Sequence, residues 1–341
     1  MLQVVDNINI TILVDNITDR LLPSLSFVKR PPMISNKKFT KPPIAEHGFS
    51  ALVEISYTYK EKIFKKKFLF DTGVSKNGII YNSEIFNINF KDIETIILSH
   101  GHFDHFSGLI SVLKKTKNPI EIIAHTDVFL KRWIVFPDGR KARMDILDEK
   151  NIRKFGGIII KNDGINYLPR PPLKINSNSN NNNKNKYRFD KKNKRILITG
   201  EIPRITNFEK GFPLQYKEGR DQNHLIADPL VKDDQAIVMI LKNKGLVILT
   251  GCSHAGIINT VNYATKATGI KKIYAIIGGF HLSGGEEYDD YLPLTITELL
   301  RINPEYIIPC HCTGWKACNE IIRAMPQKYL QTSVGSTFCF Y

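Results

Sequence analysis

Between Ser99 and Gly108 the chain reads SHGHFDHFSG, which places His100, His102, Asp104 and His105 within six residues. Imidazole and carboxylate are the side chains that hold borderline divalent cations. In an extended backbone, residues two apart point to the same side. His100 and His102 then face one way, while Asp104 and His105 turn onto the next face. That arrangement supplies two neighbouring divalent ions, Zn(II) first and Mn(II), Fe(II) or Mg(II) as alternatives. Two such ions about 3.5–4 Å apart hold a hydroxide and a phosphoryl or carbonyl oxygen between them. The blander reading is a polar surface cluster. Against it stands the context, an apolar run (IETIILS) before the motif and a helical pattern (FSGLISVLKK) after it.

A stiff scaffold has to present these groups. Short β-branched runs recur at 10–14, 51–57, 66–71, 95–99, 121–125, 195–200, 236–241, 245–251, 272–279 and 306–310. Helical patterns separate several of them, in FSGLISVLKKT, AGIINTVNYATKATG, LPLTITELLRI and ACNEIIRAM, so the fold class is α/β with mostly buried strands. AIVMIL and LVILTG flank a turn-forming Asn-Lys-Gly and read as an antiparallel hairpin, which makes the sheet mixed. Residues 175–194 are Asn-rich and of low complexity; they cannot bury enough surface to offset their ordering entropy. The expectation is one domain over 1–341 with a mobile insertion there, and two related βα halves packed face to face on either side of it.

The formal charge of +15 suits anionic small-molecule substrates. The excess is diffuse Lys without interleaved Arg and aromatics, so no dedicated nucleic-acid groove is expected. There is no run of 18 apolar residues, and the N-terminus lacks a basic start and a small-residue cleavage site; the expected location is cytoplasmic, without a membrane partner. A homo-oligomer is left open. The cysteines, Cys252, Cys310, Cys312, Cys318 and Cys339, are odd in number and gathered late in the chain, which is no disulfide framework. Most read as buried structural thiols.

HGHFDHFSG resembles the metal-binding signature of the metallo-β-lactamase superfamily. The resemblance implies an αββα sandwich of two mixed sheets flanked by helices, with the site at their edge and further ligands on later strand ends. In FDTG, Asp71 would orient the metal-site loop from behind; the alternative is an ordinary turn. In TGCSHAG, His254 would bind the first metal, although the superfamily's usual His precedes the hairpin, where only His224 is available. Cys252 is either a ligand or a small buried thiol. His311, in IPCHCTGW, matches the last ligand, on the second metal, with Cys310 and Cys312 pointing away into packing. His281, in GGFHL, either completes the metal site, joins Asp104 in contact with substrate, or is a satisfied core histidine.

EHGFS, LFDTG, GEIPRITNFE, DDQAIV and LTGCSHAGIINTV, taken with these motifs, are similar to the archaeal methanopterin-biosynthesis branch of that superfamily. The resemblance implies a transferase that condenses a dihydropterin methyl diphosphate with 4-(β-D-ribofuranosyl)aminobenzene 5′-phosphate and releases diphosphate. Arg204, Lys131 and Arg132 would grip substrate phosphates, with Glu201 and Glu209 orienting the Arg204 loop; solvated basic surface is the other reading for the three cations. The alternative function is a hydrolase of a phosphodiester, thioester or lactone using the same dinuclear site. A sensing protein without turnover would need an incomplete ligand set.

Overall fold

The computed structural model describes residues 1–169, 193–219, 221 and 224–341. One sheet runs in the order Gly157–Lys161, Ile120–Ala124, Thr95–Ile97, Lys62–Phe70, Ser50–Tyr59, Asn7–Val14, Thr337–Phe340, Val28–Lys29. The other runs Asn166–Leu168, Ile196–Ile198, Ile237–Leu241, Gly245–Thr250, Ile273–Gly279, Tyr306–Cys310. Both mix parallel and antiparallel pairs. The hairpin 237–241/245–250 is antiparallel, as its turn sequence predicts.

Side chains alternate across a strand, and here both faces of each sheet are covered. From the second sheet, Ile237, Met239 and Leu241 join Ile10, Val53, Phe68 and Ile97 of the first in the sandwich interior. Val238 and Ile240 face outward, packing with Ile257, Val261, Leu299 and Ile321 of the helices Ile257–Thr268, Glu287–Ile302 and Trp315–Ala324. On the opposite side Leu52, Leu69 and Ile96 pack with Ile79, Leu109 and Ile152. This is the αββα sandwich that the resemblance implies. Strands buried on both faces lose the apolar-polar alternation and become continuous apolar runs, which is why TIILS and AIVMIL are so easily read.

The expectation of two halves divided at the insertion is corrected. Asn166–Leu168 precedes residues 175–194 yet pairs in the second sheet, and Thr337–Phe340 returns from the chain's end to pair with Asn7–Val14. Most of the insertion, 175–192, lies outside the described residues. A small antiparallel sheet, Lys141–Arg143, Arg132–Val135, Gln215–Glu218 and Leu225–Ala227, was not foreseen, because segments such as QYKE have no apolar pattern. Among the described residues no helix is long and apolar enough to cross a membrane.

Ile97 is fully buried in the interior, three residues before His100. Ile97→Ala should cost about 2–5 kcal/mol, seen as a lower urea midpoint at unchanged slope. An unshifted midpoint would contradict the packing described here.

Candidate metal centre

The strand Thr95–Ile97 lies between two parallel neighbours and releases the chain at its C-terminal end into the motif. His102 stays extended (φ −91°, ψ 142°), and the short helix Phe103–Phe106 starts directly after it. His102 thus sits on extended backbone, while Asp104 and His105 sit on a helical turn. Gly101 separates His100 from His102 for a steric reason: a Cβ there would come within 2.5 Å of both the Arg132 Nη1 and the Val128 carbonyl oxygen. Its amide donates to Asp233 Oδ2 at 2.7 Å, and Arg132 Nη1 donates to the same oxygen at 3.0 Å.

Six residues then divide three and three. His100, His102 and His254 bring one ligand atom each to within 4.8 Å of one another, and Asp104, His105 and His311 do the same. His102 Nδ1 and His254 Nε2 stand 3.1 Å apart, and His311 Nε2 is 3.3 Å from Asp104 Oδ2. Cys252 lies between the groups, with its Sγ 3.1 Å from His105 Nε2 and in reach of His100.

The outer nitrogen of four imidazoles is held from behind. Asp71, fully buried, accepts from the Ser99 amide at 2.7 Å, the Ser99 hydroxyl at 2.6 Å and His105 Nδ1 at 2.7 Å. With its hydroxyl hydrogen directed to Asp71, Ser99 Oγ is left to accept from His100 Nδ1 at 2.9 Å. Gln215 Oε1 accepts from His102 Nε2, and Asn16 Oδ1 from His311 Nδ1 at 3.1 Å. Such partners choose the tautomer and turn the remaining lone pair inward. His100 Nε2 is buried with no hydrogen-bond partner. Converging, unpartnered imidazole lone pairs beside a carboxylate are a donor set that fits divalent cations.

The charges agree with that fit. Burial, helped by neighbouring imidazoles, holds His100 and His254 well below the usual histidine range; burial and Arg132 lower His102 to about 4. All three are neutral at pH 7. Burial opposes charge at His105, but Asp104 and Asp71 overcome it and raise that imidazole to about 9. Burial likewise opposes charge at Asp104, where His105 and His311 keep the carboxyl well below the ordinary range. Three site residues and Ser253 adopt a left-handed backbone at strand ends: Asp71 (φ 59°), Ser253 (φ 57°), His281 (φ 44°) and His311 (φ 49°). Such conformations cost about 1–3 kcal/mol each and persist where surrounding structure over-determines them.

The remaining expectations fall differently. His281 packs its ring 4.1 Å from that of His254, beyond the three-histidine group, and neither ring nitrogen has a hydrogen-bond partner. Cys310 enters the sandwich interior, but Cys312 does not point into packing as expected: its Sγ gathers with Cys252 and His281. His224 stays exposed and pairs with Asp221. Arg132 is corrected as a phosphate grip: it is buried, and both terminal nitrogens meet Asp233, because a buried guanidinium needs a paired carboxylate. Lys131 pairs with Glu218 at 3.2 Å, and Arg204 turns to the carbonyl oxygens of Ile202 and Leu230. Glu209 accepts from the Ile258 and Asn259 amides at the start of the helix that follows His254, while Glu201 pairs with Lys232.

Sequence reading missed Ser99, Gln215, Asn16 and Asp233 as supports. It also gave no role to His47, at the mouth, whose Nε2 is 3.8 Å from Asp104 Oδ2. EHGFS and DDQAIV were visible as motifs; Gln215 carried no signal, since its partner is 113 residues away.

Residues 65–177 match the metallo-beta-lactamase superfamily. The chain is 31% identical over 307 residues to the 7,8-dihydropterin-6-methyl-4-(beta-D-ribofuranosyl)-aminobenzene-5'-phosphate synthase of Methanocaldococcus jannaschii, covering 89% of this chain and 92% of that one. The uncharacterized protein MJ0448 of the same organism is 33% identical, over 84% of this chain and 89% of its own. Among solved structures, Tm1679, a metal-dependent hydrolase of the beta-lactamase superfamily, shares the fold with a TM-score of 0.65 at 20% identity, over 97% of this chain and 98% of that one. The chain belongs to the metallo-β-lactamase superfamily, in the branch that includes the archaeal methanopterin-pathway synthase.

Two outcomes test the centre. Below pH about 9 a cation at Asp104, His105 and His311 competes with the His105 proton. Zn(II) affinity there should therefore strengthen as pH rises from 6 to 8, with a proton released on binding, measured by calorimetry in buffers of different ionisation enthalpy; pH-independent binding would contradict it. Asp233→Asn, which removes the nearer carboxylate from buried Arg132 and leaves only Asp228 at 3.8 Å, should cost about 3 kcal/mol in denaturant unfolding and lower metal content.

Proposed function

We propose that this protein is a metal-dependent transferase that joins a dihydropterin methyl diphosphate to 4-(β-D-ribofuranosyl)aminobenzene 5′-phosphate. The aniline nitrogen forms a bond to the pterin's methylene carbon, the carbon–oxygen bond to diphosphate breaks, and the nitrogen loses a proton. The observation that carries this reading is the 31% identity, over 89% of the chain, to a protein named for the product of that reaction.

The site's chemistry supports it. His100, His102 and His254 would hold one ion and Asp104, His105 and His311 the other, with Cys252 between them. Bound there, the ions supply charge neutralisation for diphosphate oxygens. With the three expected phosphate grips engaged elsewhere, Lys210 takes their place as candidate cation, since it lines a recess with His254 and His281. On the other side, a cavity of about 450 Å³ reaches His311 and is walled by Asn16, Trp315, Tyr329 and Gln331. Trp315 is 82% exposed, an uncovered aromatic face beside amide groups, which suits a flat hydrogen-bonding ring. Binding both substrates across the centre would align nitrogen and methylene carbon for displacement.

The test is incubation of metal-loaded protein with the pterin diphosphate, with and without the aminobenzene riboside phosphate, followed by mass spectrometry. Coupled product and diphosphate should form only with both present. No coupled product, alongside rapid cleavage of a generic phosphodiester, thioester or lactone, would replace this reading with the hydrolase. Trp315→Ala should raise KM for the pterin about tenfold, equivalent to about 1.4 kcal/mol, with little change in kcat.

A further inference from the structure

One cluster of ligating atoms adjoins the centre without belonging to either group of three. The sulfurs of Cys252 and Cys312 and a ring nitrogen of His281 lie within 4.8 Å of one another. Both thiols are free and buried. The three residues follow Gly245–Thr250, Ile273–Gly279 and Tyr306–Cys310, adjacent parallel strands whose ends open to the same side. Side chains more than fifty residues apart in places are thus brought together by register alone.

Two further features point to a ligand. Both nitrogens of His281 are buried and lack hydrogen-bond partners, although the residue is held at φ 44°. A satisfied core histidine, the bland reading, would have at least one partner. Gly279 supplies the room: a Cβ there would come within 2.7 Å of Cys312 Sγ and 2.4 Å of the Gly251 carbonyl oxygen. Apart from a 3.5 Å contact with the Cys252 carbonyl oxygen, Cys312 Sγ interacts with the Cys252 thiol and the His281 ring, the other two members of the cluster.

We propose that Cys252, His281 and Cys312 form a third cation position, for a thiophilic divalent ion such as Zn(II), with Cys252 shared between it and the neighbouring centre. Two thiolates and one neutral imidazole balance a 2+ charge, and the two thiol protons leave to solvent on binding. Zinc–sulfur bonds of about 2.3 Å and zinc–nitrogen bonds of about 2.0–2.1 Å need donors about this close. Three protein donors leave a fourth coordination position open to water or a substrate oxygen. The proposal does not depend on which reaction the enzyme performs.

The experiment is titration of reduced, metal-free full-length protein with Co(II) under argon, following metal stoichiometry and thiolate-to-cobalt charge-transfer absorption. The wild type should bind three equivalents. Cys312→Ser and His281→Gln should each bind two, with the charge-transfer band reduced in Cys312→Ser. His105→Ala should lose an equivalent from the neighbouring centre while keeping the Cys312-dependent band. Two equivalents in the wild type would overturn the proposal, as would three in Cys312→Ser or recovery of Cys252 and Cys312 as a disulfide from anaerobically purified protein. The wild-type stoichiometry decides the matter even if a variant fails to fold.

Discussion

The Asp71 carboxylate is the contact on which the site depends. It is fully buried and takes three donors, the Ser99 amide, the Ser99 hydroxyl and His105 Nδ1. A buried carboxylate is tolerable only when such donors offset its lost hydration. In exchange it fixes how His105 and, through Ser99, His100 present their inner nitrogens. The contact comes from sheet register: Phe70 pairs with Ile97, so Asp71, one residue past its strand end, meets Ser99, two residues past the other. A one-residue slip would turn both side chains to opposite faces.

The second support is electrostatic. Arg132 and Asp233 are two buried charges that compensate one another, and the Asp233 oxygen that meets Arg132 also accepts from the Gly101 amide, between His100 and His102. Such a pair is expensive to bury and more expensive to break. Its placement beside Gly101 means that the cost is borne where backbone position controls ligand geometry. A guanidinium that looks from the sequence like a substrate-facing cation is therefore part of the wall.

Much of the fold was legible because the sandwich buries both faces of its strands. The centres of TIILS, AIVMIL and KIYAIIGG are continuous apolar runs, and amphipathic runs such as AGIINTVNYATKATG separate them. Less legible were elements whose pairing is remote or whose surface is polar. Thr337–Phe340 has its partner more than three hundred residues away, and Gln215–Glu218 lies in a small sheet that covers His102 rather than filling the core. Periodicity reports local burial, and neither segment is locally distinctive.

The amino-acid sequence by itself determined the donor types, their spacing in HGHFDH and the strand-to-helix change that turns Asp104 and His105 away from His100 and His102, since these follow from local backbone geometry. Tertiary structure decided how the distant residues come together, including Cys312, which the sequence reading had pointing away. His254, His311, Cys252, Cys312 and His281 converge because neighbouring strands end at one edge, a matter of sheet order that no local pattern encodes. It also decided which charges face the cavity and which are sealed: Arg132 and Lys210 look alike as cations in the sequence, and only packing buries one and leaves the other beside His281.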